Sequence, residues 1–242
     1  FMGSARVSAR VFPAKMTPER SESGVWSEVP GEESRRGIVC RKDSHCLRNN
    51  NRNGQEFYRH KVGFMTKNEL RRAMRTLNRG LDAAERAAAS ARIVERMESL
   101  PEFARAQTVG LFCSMRDEPD MREALSRWCG VKRLVVPRVE GTTMRFFEYD
   151  PQTLFPGAFG ILEPGPSAIV CPPEEIDLLL VPGVAFTAGG LRCGRGRGYY
   201  DQYLSLAGFR AVKIGICFAH QLVDALPAEP HDIRMDRVVT DR

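Results

Sequence analysis

The order of apolar and polar residues changes near Met65. Residues 1–64 mix Ser, Gly, Arg, Glu and Asn, and no apolar period persists there beyond a few residues, which is typical of disordered chain. From Met65 onward, helical and strand patterns alternate to the end of the sequence. We therefore expect a non-catalytic, disordered extension over residues 1–64, a native product that begins near Met65, and a catalytic domain over residues 65–242.

Two capping boxes predict the first helices of this domain. Thr66 and Glu69 have the spacing of an N-cap and its N3 partner, and Asp82 and Glu85 repeat it. The residues after the first box place apolar side chains on one helical face. The Ala-rich segment after the second box predicts a helix to about Leu100.

Short apolar runs bounded by turn residues predict the strands. One shorter helix is expected to end near Trp128, and another is expected to begin near Tyr199. Strands that alternate with helices indicate an α/β fold, a single domain with a mostly parallel central sheet flanked by helices. The predicted strands are Thr108 to Cys113, Leu134 to Pro137, Thr143 to Tyr149, Ile176 to Pro182 and Ala211 to Phe218.

A glycine- and arginine-rich segment follows the predicted strand that ends at Pro182. Leu191–Leu204 reads L-R-C-G-R-G-R-G-Y-Y-D-Q-Y-L, and its part Arg192–Gly198 is called the glycine loop below. Glycine lets the backbone approach a ligand closely, arginine matches phosphate oxygens, and the amides at a helix start favour anions. Loops beyond the carboxyl ends of buried strands are where α/β sheets bind ligands, which favours a phosphate cradle. A solvated surface turn and an RG-type RNA-binding segment are the alternatives.

The charge distribution argues against a nucleic-acid partner. The net charge is +6, but residues 1–64 carry 12 Lys and Arg against 7 Asp and Glu, whereas residues 65–242 carry 24 against 23. A nucleic-acid-binding domain needs a basic surface of its own. The folded part lacks that excess, so its arginines point to a smaller anion.

The cysteines and the hydropathy pattern indicate the compartment. Seven scattered cysteines, without a C-x-x-C pair or a Cys/His cluster, support neither a disulfide framework nor a zinc site. No apolar run is long enough to span a bilayer. We expect a soluble, cytoplasmic protein that works without a membrane partner.

Five blocks in order carry a resemblance to a known family. With these blocks, residues 65–242 resemble 5-formyltetrahydrofolate cyclo-ligases, also called methenyltetrahydrofolate synthetases. The blocks are Lys67 to Arg71, Phe112 to Glu118, Gly160 to Pro164, Pro182 to Phe186 together with the glycine loop, and Pro230 to Asp232.

The resemblance implies fold, reaction and partners. The fold would be a three-layer arrangement like that of NagB, RpiA and the CoA transferases. The reaction would use ATP, with Mg²⁺, to activate the formyl oxygen of 5-formyltetrahydrofolate, so that N10 closes the ring to 5,10-methenyltetrahydrofolate and phosphate leaves. The enzyme is expected to act as a monomer.

The resemblance also implies the site residues. Arg195 and Tyr200 would be catalytic, and Asp201 would contact Mg²⁺. The folate substrate would be bound by Cys113, Met115, Glu118, Arg195 and Tyr199. ATP would be bound by Lys67, Asn68, Glu69, Leu70, Arg71, Arg192, Cys193, Gly194, Arg195, Gly196, Arg197, Gly198, Tyr199 and Tyr200.

Several of these residues have a structural alternative. Lys67 and Arg71, spaced i and i+4, also suit a solvated helix face. Asp201 also suits a first-turn acid that stabilises the helix dipole. At least one tyrosine of the pair is expected to pack in the core, and His220 is expected to be structural.

Two other functions stay open at this stage. One is an ATP-dependent paralogue that acts on another formyl- or amide-bearing metabolite; retention of Glu118 beside Phe112 and Met115 favours folate over it. The other is a nucleotide- or RNA-binding regulatory module, against which the near-neutral charge of residues 65–242 counts.

Overall fold

The computed structural model describes residues 65–157, 160–227, 229 and 232–242. The predicted extension over residues 1–64 lies outside the described residues, as does His231. Within the described part, no helix has the length and apolar character needed to cross a membrane.

The two helices that follow the capping boxes, and the one at Tyr199, begin where the sequence predicted them. In both capping boxes the N-cap side chain accepts a bond from the N3 amide and the N3 carboxylate accepts one from the N-cap amide, which confirms both boxes. Two short 3₁₀ turns, Pro173–Glu175 and Ala219–Gln221, accompany the α-helices. The α-helices of the described residues are α1 (Lys67–Gly80), α2 (Ala83–Glu98), α3 (Pro101–Arg105), α4 (Arg122–Trp128) and α5 (Tyr199–Leu204).

Seven strands of the described residues form one sheet, in the order β11-β10-β7-β1-β2-β3-β6. The pairings from β11 to β2 are parallel and the two beyond β2 are antiparallel, so the prediction of a mostly parallel sheet is confirmed. The strands of this sheet are β1 (Thr108–Gly110), β2 (Arg133–Glu140), β3 (Thr143–Glu148), β6 (Val170–Cys171), β7 (Leu178–Pro182), β10 (Val212–Ile216) and β11 (Arg237–Val239).

Two small antiparallel pairs complete the described strands. β4 (Leu154–Pro156) pairs with β5 (Leu162–Pro164), and β8 (Ala185–Phe186) pairs with β9 (Arg192–Cys193). The second pair stands between β7 and the glycine loop, so it places that loop beyond the end of the sheet.

The central strands are apolar on both faces because helices cover both. Leu178 and Leu180 of β7 pack into the cluster that contains α2, α4 and a flank of α3. Leu179 and Val181 point the other way, into the cluster that contains α5. A near-continuous apolar run is the signature of a strand buried in this manner. The sheet is therefore the middle of three layers.

Helix α1 packs on a third cluster, apart from the main layers. Its Leu70 and Met74 are fully buried against Ala185 of β8 and Cys193 of β9. This packing brings the polar face of α1 next to the glycine loop.

Candidate active site

A switch in strand order lies between β1 and β7, at the centre of the sheet. From β1 the chain continues to β2 on one side, whereas from β7 it continues to β10 on the other. Open α/β sheets bind ligands in the crevice beyond the carboxyl ends of strands at such a point. Residues 111–121 follow β1 and residues 183–198 follow β7, so these two segments flank the crevice.

The glycine loop touches helix α1 through Arg71. The Arg71 Nε donates to the carbonyl oxygen of Gly194 over 2.8 Å, and its Nη1 donates to Asn68 Oδ1 over 2.7 Å. Gly196 has a φ of +99°, and a Cβ at this position would lie 3.3 Å from the Arg71 guanidinium carbon. Glycine thus provides both the left-handed backbone and the close approach of Arg71.

Arg195 joins the two segments that flank the crevice. Its Nε and Nη2 donate to Glu118 Oε1 over 2.9 and 2.8 Å, and its Nη1 and Nη2 donate to the Asp117 carboxylate over 3.2 and 2.8 Å. The Glu118 side chain is 6% exposed and that of Arg195 is 31% exposed. A buried carboxylate of this kind needs such a partner, because an unpaired buried charge is costly.

The charges of this group stabilise one another. Partial burial acts to raise the pKa of Asp117, but the hydrogen bonds and charge of Arg195 outweigh it and hold that pKa below its ordinary value. Burial acts likewise to lower the pKa of Arg195, and both carboxylates raise it. The Arg195 guanidinium is thus held by hydrogen bonds to two carboxyl groups.

The loop that carries Glu118 is fixed by its own backbone. Glu118 Oε2 accepts a bond from the Met115 amide over 2.9 Å, and the Glu118 amide donates to the Met115 carbonyl over 3.1 Å. Arg86 of α2 donates to the carbonyl oxygens of Met115 and Arg116. The acidic side chains are therefore presented from an ordered turn.

Lys67 lies at the start of α1 and faces acidic residues near the end of the chain. Its Nζ is 2.8 and 3.1 Å from the Asp232 carboxylate oxygens and 3.2 Å from Glu229 Oε2. Burial acts to lower the pKa of Lys67, but these two carboxylates raise it above its ordinary value. Lys67 is a fixed positive charge at neutral pH.

Arg192 is buried behind the glycine loop. Its side chain is 4% exposed, its Nη2 donates to Asp201 Oδ1 over 2.9 Å, and its Nη1 donates to the Pro182 carbonyl oxygen over 3.4 Å. The guanidinium carbon also lies 5.6 Å from the centre of the Tyr200 ring. Burial, and then the charge of Glu118, raise the pKa of Tyr200, so its phenol keeps its proton at neutral pH.

A small cleft of about 10 Å³ lies between α1 and the two loops. Its lining combines three arginines with one carboxylate, one amide and the adjacent residues Gly183 and Val184, and the three arginines suit an anionic ligand. The lining residues are Arg71, Arg75, Asn78, Asp117, Gly183, Val184 and Arg195.

The model of the 5-formyltetrahydrofolate cyclo-ligase family matches residues 64–241. The chain belongs to this family. The cyclo-ligase resemblance noted from the five sequence blocks is therefore confirmed, and the match covers the whole part of the chain that carries the crevice.

Curated cyclo-ligases align with this chain over different lengths. A 5-formyltetrahydrofolate cyclo-ligase of Mycolicibacterium smegmatis is 39% identical over 102 residues, which are 41% of this chain and 52% of that protein. The Escherichia coli K12 cyclo-ligase is 33% identical over 60% of this chain and 84% of its own length. A probable cyclo-ligase of Caenorhabditis elegans is 27% identical over 72% of this chain and 91% of its own length.

Two solved structures share the fold. The Aquifex aeolicus 5,10-methenyltetrahydrofolate synthetase superposes with a TM-score of 0.67 at 35% identity, over 74% of this chain and 91% of that one. The Mycoplasma pneumoniae 5,10-methenyltetrahydrofolate synthetase superposes with a TM-score of 0.61 at 25% identity, over 74% of this chain and all of that one.

Some of the predicted site residues lie around one crevice. Arg195 donates to Glu118, Arg71 donates to the carbonyl oxygen of Gly194 beside Arg195, and Lys67 lies on the same helix as Arg71. Tyr199 lies at the start of α5, where its hydroxyl donates to the Gly141 carbonyl oxygen over 3.3 Å. Their roles toward ATP and folate remain predictions.

Other predicted ATP ligands have side chains that are occupied within the protein. Leu70 and Cys193 are core residues, 0% and 1% exposed, so only their main chain can meet a ligand. The Glu69 carboxylate completes the α1 capping box. Arg192 differs from the predicted phosphate-facing guanidinium, because Asp201 and the Pro182 carbonyl draw it inward.

The thiols near the crevice are neutral at physiological pH. Burial raises the pKa of Cys113 to about 11 and raises that of Cys193. A thiolate is the nucleophilic form of cysteine, so neither residue is prepared for covalent chemistry. Cys113 is only partly exposed and is suited to serve as a wall.

Asp201 is the carboxylate that was predicted to contact Mg²⁺. Among the described residues no three His, Cys, Asp or Glu side chains cluster in a way that could hold a metal ion. Mg²⁺ at nucleotide sites needs only one or two carboxylates together with phosphate oxygens. Asp201, with Oδ1 bonded to Arg192 and a side chain 21% exposed, fits that lesser requirement.

Sequence reasoning missed three residues that line the cleft. Asp117 was not among the predicted site residues, but its carboxylate binds Arg195. Arg75 and Asn78 follow Arg71 by four and seven positions, so they turn toward the same cleft, with Asn78 at the edge of the buried face of α1. That spacing is the signal that could have found them.

Proposed function

We propose that this protein converts 5-formyltetrahydrofolate to 5,10-methenyltetrahydrofolate at the expense of ATP, releasing ADP and phosphate. Family membership supports the reaction. The observation that supports a site for this reaction is the arginine-lined cleft at the switch point between β1 and β7. The glycine loop, α1 and the turn that contains Glu118 meet there.

The chemistry has two stages. The formyl oxygen attacks the γ-phosphorus and ADP departs, which leaves an imidate-type phosphate ester. N10 then attacks the formyl carbon and gives up its proton to the departing phosphate or to water, the carbon–oxygen bond breaks, and phosphate leaves with the formyl oxygen. The protein's task in such a reaction is to position the reactants and to stabilise the charge that develops on phosphoryl oxygens.

Arg195 is the proposed catalytic cation of the first stage. Its guanidinium can bind phosphoryl oxygens with paired hydrogen bonds, as the two carboxylates now do. When phosphate oxygens take the place of a carboxylate, Glu118 Oε1 becomes available to the aminopyrimidinone edge of the pterin. One residue pair would thus respond to both substrates.

The remaining cations and loop amides would hold the triphosphate. Arg71 and Lys67 project from α1, and Arg197 is exposed on the glycine loop. Arg192 would have an indirect role: its hydrogen bond to Asp201 fixes β9 relative to α5. Tyr200, protonated at neutral pH, would donate a hydrogen bond or pack at the boundary between nucleotide and folate.

Mg²⁺ is the proposed cofactor, and Asp201 is the residue proposed to hold it together with phosphate oxygens. The ion would neutralise phosphate charge and orient the triphosphate. Removal of divalent cations with EDTA is expected to abolish turnover, and added Mg²⁺ is expected to restore it.

We further propose a cytoplasmic monomer that binds neither nucleic acid nor membrane. The near-neutral charge of residues 65–242 supports the absence of a polyanion partner. The described cysteines, all free, suit a reducing compartment.

The test of the proposed activity is direct. Purified protein is mixed with 5-formyltetrahydrofolate and Mg·ATP, and the absorbance of the methenyl product is followed. We expect product only when both substrates are present. Folded protein that forms no methenyl product would defeat the proposal, and turnover of another formyl compound in its place would favour the paralogue.

A further inference from the structure

Asn78 is a buried amide on the inner, otherwise apolar face of α1. It is 5% exposed, on the same face as Leu70 and Met74. Burying an amide costs free energy unless its polar atoms are bonded. Asn78 meets that need with two partners from distant parts of the chain: its Nδ2 donates to the Asp117 carbonyl oxygen over 2.8 Å, and its Oδ1 lies 2.5 Å from His220 Nε2.

The two partners fix the direction of each hydrogen bond. A carbonyl oxygen only accepts, so the NH₂ group of Asn78 faces Asp117 and its oxygen faces His220. His220 must then carry a hydrogen on Nε2. Its ring is stacked on Phe218, with ring centres 5.7 Å apart and planes 14° apart, which holds the donor in position.

The Asn78 side chain donates a hydrogen bond to Asp117, the residue whose carboxylate binds Arg195. The Asp117 carbonyl accepts from Asn78, while the Asp117 carboxylate accepts two bonds from Arg195, and Glu118 follows directly. A shift of the Asp117 backbone would therefore move both carboxylates that orient the guanidinium.

The fold explains why these residues meet. His220 follows β10 and Asp117 follows β1, so both lie beyond carboxyl ends of parallel strands of one sheet. Helix α1 packs across this edge and inserts Asn78 between them. The result is one hydrogen-bonded series from His220 through Asn78 and Asp117 to Arg195.

We propose that Asn78, oriented by His220, is a positioning residue for the Asp117–Arg195–Glu118 group. It acts through the Asp117 backbone, and His220 acts through Asn78. This inference rests on the proposed cyclo-ligase function for its kinetic consequence, whereas the ordering of the Asp117 turn can be measured without turnover.

Kinetics of four variants test the proposal. Small misplacements of catalytic groups can lower rates by one to two orders of magnitude. We expect His220→Leu and Asn78→Ala each to lower kcat about ten-fold, with the KM for ATP changed by less than about three-fold. His220→Gln keeps an N–H donor and is expected to stay within about three-fold of the wild-type kcat. The double variant Asn78→Ala/His220→Leu is expected to be no slower than either single variant, because both act through one series.

The control is Thr76→Ala, on the exposed face of the same helix. Among the described residues, the Thr76 hydroxyl bonds to the Arg72 carbonyl of its own helix, so this variant is expected to match the wild type. Losses that multiply in the double variant, a Gln variant as slow as the Leu variant, or unchanged kcat in His220→Leu would each overturn the proposal.

Hydrogen exchange separates this inference from the proposed function. The Met115 and Glu118 amides are bonded within the turn. We expect them to exchange at least about ten-fold faster in His220→Leu, and at the wild-type rate in His220→Gln. Equal protection in all three proteins would overturn the positioning role. A wild-type protein that makes no methenyl product would defeat the function alone, since the exchange result would still decide the inference.

Discussion

Arg195 receives its orientation from two carboxylates that are neighbours in sequence. Asp117 and Glu118 lie in the turn after β1, and the planar guanidinium of Arg195 bonds to both carboxylates. Lysine cannot reproduce this arrangement, because an ammonium group is a point charge without a planar fork. The residue type at position 195 therefore matters beyond its charge.

Replacement of Arg195 tests this interpretation. We expect Arg195→Ala to lower kcat/KM for ATP by about 10²–10³, the usual loss when one preorganised donor to a transition state is removed. Arg195→Lys is expected to recover no more than about a tenth of the wild-type value. Steady-state kinetics, with circular dichroism to check folding, gives the answer.

The matched control is Arg127→Gln, which removes a surface arginine paired with Glu98 and Glu123. Exposed pairs of this kind contribute little, so activity should change by less than about two-fold. Equal kinetics for the wild type and Arg195→Ala would remove Arg195 from the catalytic group.

At the scale of single residues, the sequence predicted which charges gather and missed how they pair. Arg195 and Glu118 were both expected at the site, but their mutual hydrogen bonds join positions 77 residues apart. Such a contact depends on strand order, which local patterns do not contain. The inward turn of Arg192 was missed for the same reason, since its partners Asp201 and Pro182 lie on other elements.

The turn between β8 and β9 shows how elements are locked to one another. Gly190 has a φ of +82°, and a Cβ there would lie 2.2 Å from the Met235 carbonyl oxygen. The Met235 amide in turn donates to the Gly190 carbonyl oxygen over 2.8 Å. The base of the glycine loop is thus tied to the segment that precedes β11.

We expect Gly190→Ala to lower the free energy of unfolding by about 2–4 kcal/mol. Alanine disfavours the left-handed backbone at this position, and its Cβ would clash with the Met235 carbonyl oxygen. Gly80→Ala, at the end of α1, adds a Cβ that meets no atom within 4 Å. It should change stability by less than about 0.5 kcal/mol. Urea unfolding measures both, and similar values for the two variants would contradict the account.

Element positions were largely predictable from local signals, and their lengths were not. The two capping boxes located α1 and α2, and the apolar runs located five of the sheet strands. The first strand ends at Gly110 rather than Cys113, because the residues that follow leave the sheet for the turn held by Arg86. β11 was missed because three residues with one buried side chain make too short an apolar run.

At the scale of the whole molecule, burial of His220 couples stability to pH. Burial lowers its pKa to about 4, from 6.5, with Arg242 acting in the same direction and Asp241 against it. Between these values the unfolded chain binds a proton that the folded protein does not. The free energy of unfolding should therefore decrease as the pH falls from 6.5 towards 4.

The expected contribution of His220 between pH 7.5 and pH 5 is a loss of about 2 kcal/mol. His220→Gln removes the titrating group and should show a correspondingly smaller loss over this range. Urea unfolding of both proteins at the two pH values makes the comparison. Parallel pH dependence in the two proteins would show that His220 titrates normally in the folded state.

At this scale, the described residues form three layers, and the strand-order switch of the central sheet presents arginines to a cleft. The alternating pattern and the near-neutral charge of residues 65–242 were sufficient to predict the class of fold and to disfavour a polyanion ligand. The switch itself follows only from the order of strands in the sheet, so its coincidence with the glycine loop required the structure.

The fate of the formyl oxygen tests the central claim most directly. 5-Formyltetrahydrofolate labelled with ¹⁸O in the formyl group is converted with unlabelled Mg·ATP, and the released phosphate is examined by mass spectrometry. Phosphorylation of the formyl oxygen predicts one ¹⁸O atom per phosphate released. Methenyl product accompanied by unlabelled phosphate would contradict the account.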